Sequence, residues 1–345
     1  MPRRRRPEPP LPPRDGLGPA RIRMPLRPAG LWTTGRNDGP VGQGRGCSAV
    51  HPHDCSAEDP ATVVEFLVAL TGDEEGVWRR VRAGEVVLGD GTRVEATTPY
   101  RPGGTAYLYR DLPQEAPVPG EITVLLRDDE TGLLAVDKPP FLATTPRGRH
   151  VAQTVLVRLR CELDLPDLAP VHRLDRLTSG VLLLTTRREA RSAYQRMVQE
   201  GGLAKTYAAL APLSDDPELP VLIRNRLVKR RGELQARVEP GEPNAQTLVE
   251  LEAVLGPEEH GRLGRYRLTP TTGQTHQLRV HLAGLGIPII GDPLYPQVRD
   301  VADDDLSTPL QLLAREVGFV DPVTGQERTI RSRRTLPVLT PAAGR

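Results

Sequence analysis

Between residues 172 and 185 the chain passes from polar to apolar without a transition. His172-Arg173-Leu174-Asp175-Arg176-Leu177-Thr178-Ser179-Gly180 is followed at once by Val181-Leu182-Leu183-Leu184-Thr185. The second run has no polar alternation, which predicts a buried strand. A loop carried by such a strand is held rigidly, and rigid scaffolds bearing loops are where catalytic groups tend to sit. Ile122–Leu126 and Leu133–Val136 predict two strands, and the turn residues Asp128-Asp129-Glu130-Thr131-Gly132 between them predict a hairpin. Further strands are predicted over Lys205–Ala211, Val221–Val228, Leu234–Val238, Thr247–Leu255 and Arg265–Leu268. One helix has a clear period, with Ala190, Ala193, Tyr194, Met197 and Val198 at i, i+3, i+4, i+7 and i+8. Thr186 and Glu189 predict a capping box in front of it, and Gly201-Gly202 a stop behind it. Many strands with only occasional helices predict an α+β fold around a mixed, mainly antiparallel sheet.

Upstream, residues 61–112 read as a small module. Ala61–Leu70 predicts a helix, Val77–Val81 a second short one, and 84–91 a strand with an Asp-Gly turn. Ala106–Tyr109 predicts another strand, and Asp111–Pro119 a linker. Residues 1–58 are rich in Pro, Gly and Arg with hardly any periodicity, and predict a disordered or loosely held tail. The chain therefore divides into a tail (1–58), an accessory module (59–115) and a larger domain (116–340), without internal repeats.

A length of 345 residues accommodates one sizeable domain plus an accessory part. The formal charge of +2 gives no global basic field, but 43 of the 46 basic residues are arginine. Guanidinium suits phosphates and stacked bases better than ammonium does, although a GC-rich coding bias produces the same composition. Lysine occurs only at 138, 205 and 229, which marks positions where arginine does not fit. Ten arginines oppose three acids in residues 1–46, so the tail is either solvated or leans on phosphates. Cys47, Cys55 and Cys161 form neither an even disulfide set nor a CxxC pair, which fits a reducing cytoplasm. No apolar run reaches the length of a membrane span, and Arg3–Arg6 is not followed by an apolar signal region.

Asp175 stands between Arg173 and Arg176. Guanidiniums favour the ionised carboxylate, so this trio is either a nucleophile or base beside phosphate-binding groups, or a surface ion-pair loop. The run 172–180 resembles the signature of the RluA family of RNA pseudouridine synthases. Other elements resemble that family's motifs in the same order: Leu134-Ala135-Val136-Asp137-Lys138-Pro139-Pro140, its "VDKP" element; Lys205-Thr206-Tyr207, its Lys-x-Tyr; 272–281, its "TGRTHQLRVH" element; and Gly291-Asp292-Pro293-Leu294-Tyr295, its "GDxxY". This chain departs from the family at Phe141, where a glycine is usual, at Gln274, where a basic residue is usual, and at Gln311-Leu312-Leu313-Ala314, which lacks the usual histidine. The resemblance implies that 116–340 is a pseudouridine synthase catalytic domain, an isomerase that needs no cofactor and acts on structured ribosomal or transfer RNA. It also implies a cytoplasmic monomer without membrane association. Residues 59–115 would be a degenerate αL RNA-binding motif, such as often precedes this domain; a plain packing module fits them equally.

Pseudouridine formation breaks the bond from ribose to a ring nitrogen, turns the uracil and rejoins it through a ring carbon. The resemblance makes Asp175 the anion near the sugar, as nucleophile or as stabiliser of cleavage. It makes Tyr207 the ring that stacks on uracil and relays the ring-carbon proton, and Lys205, two residues earlier on a strand, faces the same side. Arg279 would pair with Asp175 and fix its direction. Arg173 would enter the duplex when the uridine leaves it. Arg176, Thr275, His276 and Gln277 complete the expected substrate-binding set, with Thr275 as the N-cap of a helix that aims backbone donors at the site or a phosphate. His276 and His281 have no Cys or carboxylate at ligand spacing and are not an HExxH pair, so no metal is expected. Two other classes compete. A non-catalytic RNA-binding protein with a decayed domain would be marked by loss of Asp175, Tyr207 or Arg279, and all three are present. A glycosidase-like hydrolase needs two carboxylates flanking the bond, and nothing in the resemblance puts Asp137 or Asp292 there.

Overall fold

A computed structural model describes residues 9–26, 60–112, 115–214, 216, 218–258, 261–302 and 304–336. The chain divides into two units, Met1–Leu112 and Pro113–Arg345. The first contains β1 (Ala20–Arg23), α1 (Val63–Thr71), α2 (Glu74–Arg82), β2 (Val86–Leu88) and β3 (Thr105–Leu108), with an antiparallel sheet in the order β1-β3-β2. A capping box opens α1: the Thr62 hydroxyl accepts from Glu65 N at 3.1 Å while Glu65 Oε2 accepts from Thr62 N at 3.3 Å. Phe66, Leu67, Val77, Val86 and Leu108 share a core with Met24, which is 1% exposed. Residues 20–24 therefore correct the expectation of a structureless tail. Their polar–apolar alternation, Arg21-Ile22-Arg23-Met24, is strand-like but short, and the surrounding Pro/Arg-rich composition conceals it. Residues 27–58 lie outside the described residues.

The larger unit contains β4 (Thr123–Asp128), β5 (Leu133–Lys138), α3 (Val155–Glu162), β6 (Ala169–Pro170), β7 (Ser179–Thr185), α4 (Arg188–Gln199) and β8 (Ala204–Pro212). There follow β9 (Val221–Val228), β10 (Arg237–Glu239), β11 (Ala245–Glu258), β12 (Gly261–Pro270), α5 (Gln277–Gly284), β13 (Leu312–Val320) and β14 (Glu327–Arg331). One eleven-stranded sheet runs β10-β9-β11-β12-β8-β13-β7-β5-β4, with β14 on β13 and β6 on β7. Every pairing in it is antiparallel except that of β13 with β7. The fold is α+β with a mixed, mainly antiparallel sheet.

The unalternating runs are buried from both sides. Leu133, Ala135, Val181 and Leu183 pack with Ala190, Tyr194 and Met197 of α4. Leu134, Val136, Leu182 and Leu184 pack with Val155, Leu156 and Leu159 of α3. Each such leucine contributes about 1.5–3 kcal/mol on full burial, so β5 and β7 form a stiff centre. Where β7 joins β13, a Cβ on Gly180 (φ 109°) would lie 2.2 Å from Ala314 O, so only glycine permits the approach. α5 covers the other half of the sheet, with Leu278 and Leu282 against Val249, Tyr266 and Leu268.

Three local expectations change. Thr186 does not cap α4: its N–H stays on the sheet, donating to Gly132 O at 2.8 Å, and Arg187 becomes the N-cap without a side-chain bond. β10 begins at Arg237, and Leu234 is 61% exposed. Glu115, within the expected linker, is tied to the larger unit, with Oε1 accepting from Val151 N at 2.8 Å and Ala152 N at 2.7 Å. Among the described residues no helix is long and apolar enough to cross a membrane.

Candidate active site

The loop from 172 to 178, between β6 and β7, is shaped by what it turns inward. Leu174 and Leu177 are buried. His172 Nε2 accepts from Leu183 N at 3.2 Å, and burial lowers this imidazole to about 4, so it is neutral at pH 7. Thr144 Oγ1 donates to Leu174 O at 2.8 Å and accepts from Leu174 N at 3.2 Å. Lys138 Nζ donates to Arg176 O at 3.1 Å, and Thr178 N to Asp175 O at 3.1 Å. Between these anchors Arg173 is exposed and Asp175 half-buried. Among the described residues neither of their side chains makes a hydrogen bond or ion pair.

Asp175 lies where two cavities meet. Arg173, Lys205, Tyr207, Thr275 and Gln277 border the first, of about 770 Å³. Arg176, Phe141, Leu177, Leu234 and Val298 border the second, of about 720 Å³. Asp175, His276 and Arg279 border both. All the residues singled out in the sequence thus converge, although not in every expected relation. Lys205 and Tyr207, two apart on β8, share one void. Burial, and then the charge of Asp175, push the Tyr207 phenol above its ordinary value, so it stays protonated at neutral pH. Burial lowers the Lys205 ammonium.

Arg279 does not pair with Asp175. α5 buries it, and its Nε and Nη2 donate to Asp292 Oδ2 at 2.7 Å and Oδ1 at 2.5 Å. Asp292 Oδ1 also accepts from Leu294 N at 2.8 Å and Tyr295 N at 3.1 Å. The planar fork of Arg279 matches this carboxylate bidentately, which leaves it committed to the loop after α5.

Thr275 is not the N-cap of α5. That position belongs to His276, in the left-handed region at φ 59° and without a side-chain cap bond. Gln277 instead reaches back: its Oε1 accepts from Gln274 N at 3.0 Å and Thr272 Oγ1 at 2.8 Å. Its Nε2 donates to Gln246 O and Thr247 Oγ1, both at 2.9 Å. The amide is fully engaged, so Gln277 holds the loop and has nothing left for a ligand. His276 Nδ1 lies 3.0 Å from the Tyr295 hydroxyl, and burial lowers its ring to about 4. His281 is bridged between Thr247 Oγ1 at 2.9 Å and Asn225 Oδ1 at 3.0 Å. Among the described residues no three His, Cys, Asp or Glu stand close enough to hold a metal.

The departures from the family pattern are structural as well. Phe141 sits at φ 65° and is 5% exposed, in a backbone region that carries a strain of about 1–3 kcal/mol for a non-glycine residue. Gln311 is wholly buried, its Nε2 donating to Pro309 O at 3.1 Å. The residues that sequence reasoning passed over as site components are Lys138, Thr144, Asp292 and Tyr295, together with Arg147 and Lys229 on the wall of the first cavity. Lys138, Asp292 and Tyr295 lay inside matched elements, which was their only signal.

Residues 132–284 match the family described as RNA pseudouridylate synthase. A protein of Synechocystis, an uncharacterized RNA pseudouridine synthase, is 34% identical over 226 residues, covering 64% of this chain and 75% of that one. The dual-specificity RNA pseudouridine synthase RluA of Salmonella typhi is 32% identical over 216 residues, covering 60% of this chain and 91% of that one. The chain belongs to the RluA family of RNA pseudouridine synthases. It is thus an isomerase of the pseudouridylate synthase class. A longer human relative, pseudouridylate synthase RPUSD2, is 34% identical over 184 residues, which are 33% of that protein. In this RluA-family chain the matched span runs from the end of the β4–β5 turn through α5. It therefore includes Lys138, the 172–178 loop, Tyr207 and Arg279, while Asp292 lies just beyond it.

Proposed function

We propose that the protein isomerises a uridine of ribosomal or transfer RNA to pseudouridine, with Asp175 as the carboxylate that acts at the ribose. One observation carries this reading. Asp175 stands at the junction of both cavities, beside the Tyr207 phenol, with a carboxylate that no side chain engages among the described residues. The N1–C1′ bond breaks, the uracil turns, the C5–C1′ bond forms, and the C5 proton is lost as N1 gains one, so the atoms balance. Asp175 either attacks C1′ or stabilises its developing charge. Tyr207, held protonated, stacks on the uracil and relays a proton rather than standing as a phenolate. Arg147, Arg173, Lys205 and Lys229 line the first cavity and suit a phosphate backbone. Arg173, exposed at the start of the loop, fills the stack that the flipped uridine leaves.

The test maps pseudouridines in total RNA from cells with and without the gene. Purified protein and its Asp175→Asn variant are then assayed on the RNA that lost a site. The reading expects one or a few lost positions, restored in vitro by the wild type and not by the variant. Wild-type turnover by Asp175→Asn would remove Asp175 from the reaction.

A further inference from the structure

With Arg279 held by Asp292, the cation that faces Asp175 comes from beneath the loop. Lys138 ends β5 and is wholly buried. Its Nζ donates to Pro139 O at 2.9 Å, Leu142 O at 2.7 Å and Arg176 O at 3.1 Å. All three partners are backbone carbonyls. A neutral amine has two N–H donors and an ammonium three, so this cup is built for the charged form. A planar guanidinium does not offer three diverging donors from one nitrogen, which accounts for a lysine in a chain with only three of them.

We infer that Lys138 is the positioning residue of Asp175: its ammonium fixes the carbonyl of the adjacent Arg176 and supplies the opposing charge under the 172–178 loop. The inference rests on the reading of Asp175 given above and adds the group that holds it. Burial opposes the charged lysine and lowers it to about 7, while Asp175 favours it and Arg334 and Arg176 oppose it. These groups face Lys138 from the loop (Asp175, Arg176) and from the segment after β14 (Arg334). Arg334 Nε lies 3.4 Å from Asp137 Oδ1, and its Nη2 donates to Asp137 O at 3.3 Å. Deprotonation of Lys138 as the pH rises removes one donor from the cup and the charge opposite Asp175, so turnover falls on the alkaline side.

The chain's three lysines make the test direct. Lysine labelled with ¹³C at Cε gives three resonances in the full-length protein, assigned with Lys205→Arg and Lys229→Arg. Coupling between two sites is reciprocal. Asp175→Asn should therefore lower the Lys138 titration midpoint, on the order of one pH unit for an opposite charge at close range. Arg334→Gln, at a partly exposed position, should raise it. The same Arg334→Gln variant should move the alkaline limb of single-turnover rate upward by the same amount. Lys138→Met should lower kcat about tenfold or more, the equivalent of one such unit, with KM for RNA little changed, and should lack that limb. An unmoved Lys138 midpoint in Asp175→Asn overturns the inference, whether or not that variant turns over. So does an alkaline limb that ignores Arg334→Gln while the midpoint moves, which keeps the inference testable if Lys138→Met does not fold. Activity of Asp175→Asn is read separately and bears only on the proposed role of Asp175.

Discussion

Replacing Asp292 by Asn should be among the most damaging isosteric changes in the larger unit. The Arg279–Asp292 pair is 3% and 0% exposed at its two side chains. Asn keeps an oxygen for Leu294 N, Tyr295 N and Arg279 Nη2, but turns an NH2 group toward Arg279 Nε, donor against donor. A buried guanidinium without its counter-charge costs about 3–5 kcal/mol, a large part of a typical stability of about 5–15 kcal/mol. At about 2–4 °C per kcal/mol for a domain of this size, the melting point should fall by roughly 6–20 °C. Urea unfolding followed by circular dichroism, with unchanged m-values, measures it. Arg279→Met should cost a similar amount. The double variant should recover at least about 2 kcal/mol relative to the sum, because neither charge is then stranded. Asp175→Asn should cost less than half as much as Asp292→Asn. Additive losses, or an Asp175→Asn loss equal to that of Asp292→Asn, would refute the assignment of Arg279 to Asp292.

Arg173→Ala should lose most turnover on a paired RNA and much less on an unpaired RNA of the same sequence, since only the former requires unstacking; equal losses on both would leave Arg173 a backbone contact. Asp128 is held at about 2, first by the Thr131 N–H and then by Arg328. Its folded value lies below the unfolded value of about 3.9, so its contribution is present above about pH 4 and fades as the pH falls toward 2. Asp128→Asn should flatten the acid limb of stability between those values, and superimposable limbs would contradict this. Met24→Ala should cost the first unit about 2–5 kcal/mol; a loss within error of zero in its unfolding would detach residues 20–24 from that core.

The site was legible wherever its chemistry is carried by contiguous residues. The loop 172–180, Lys205 with Tyr207, and 272–281 each announce themselves in one short run, and the folded chain brings all three to Asp175. Relations between distant residues were not legible. Arg279 had two acids within reach of its motif partners, and only the turn after Ile289 decides for Asp292. Helix starts divided in the same way. Thr62 and Glu65 form a box because Thr62 leaves the preceding segment, whereas Thr186 stays hydrogen-bonded to Gly132 and cannot. α3 gave no helical period because Val155, Leu156, Val157 and Leu159 are all buried, leaving no polar face to set a rhythm.

Because the 172–178 loop takes its shape from Leu174, Leu177, His172, Thr144 and Lys138, its two outward side chains are guests on a finished frame. Exchanging the carboxylate of Asp175 for an amide should therefore silence the protein without unmaking the surface that meets RNA. Such a silent form is a snare. It would linger on its own target because no product forms to release it, and crosslinking it in living cells would bring out the modified transcript directly.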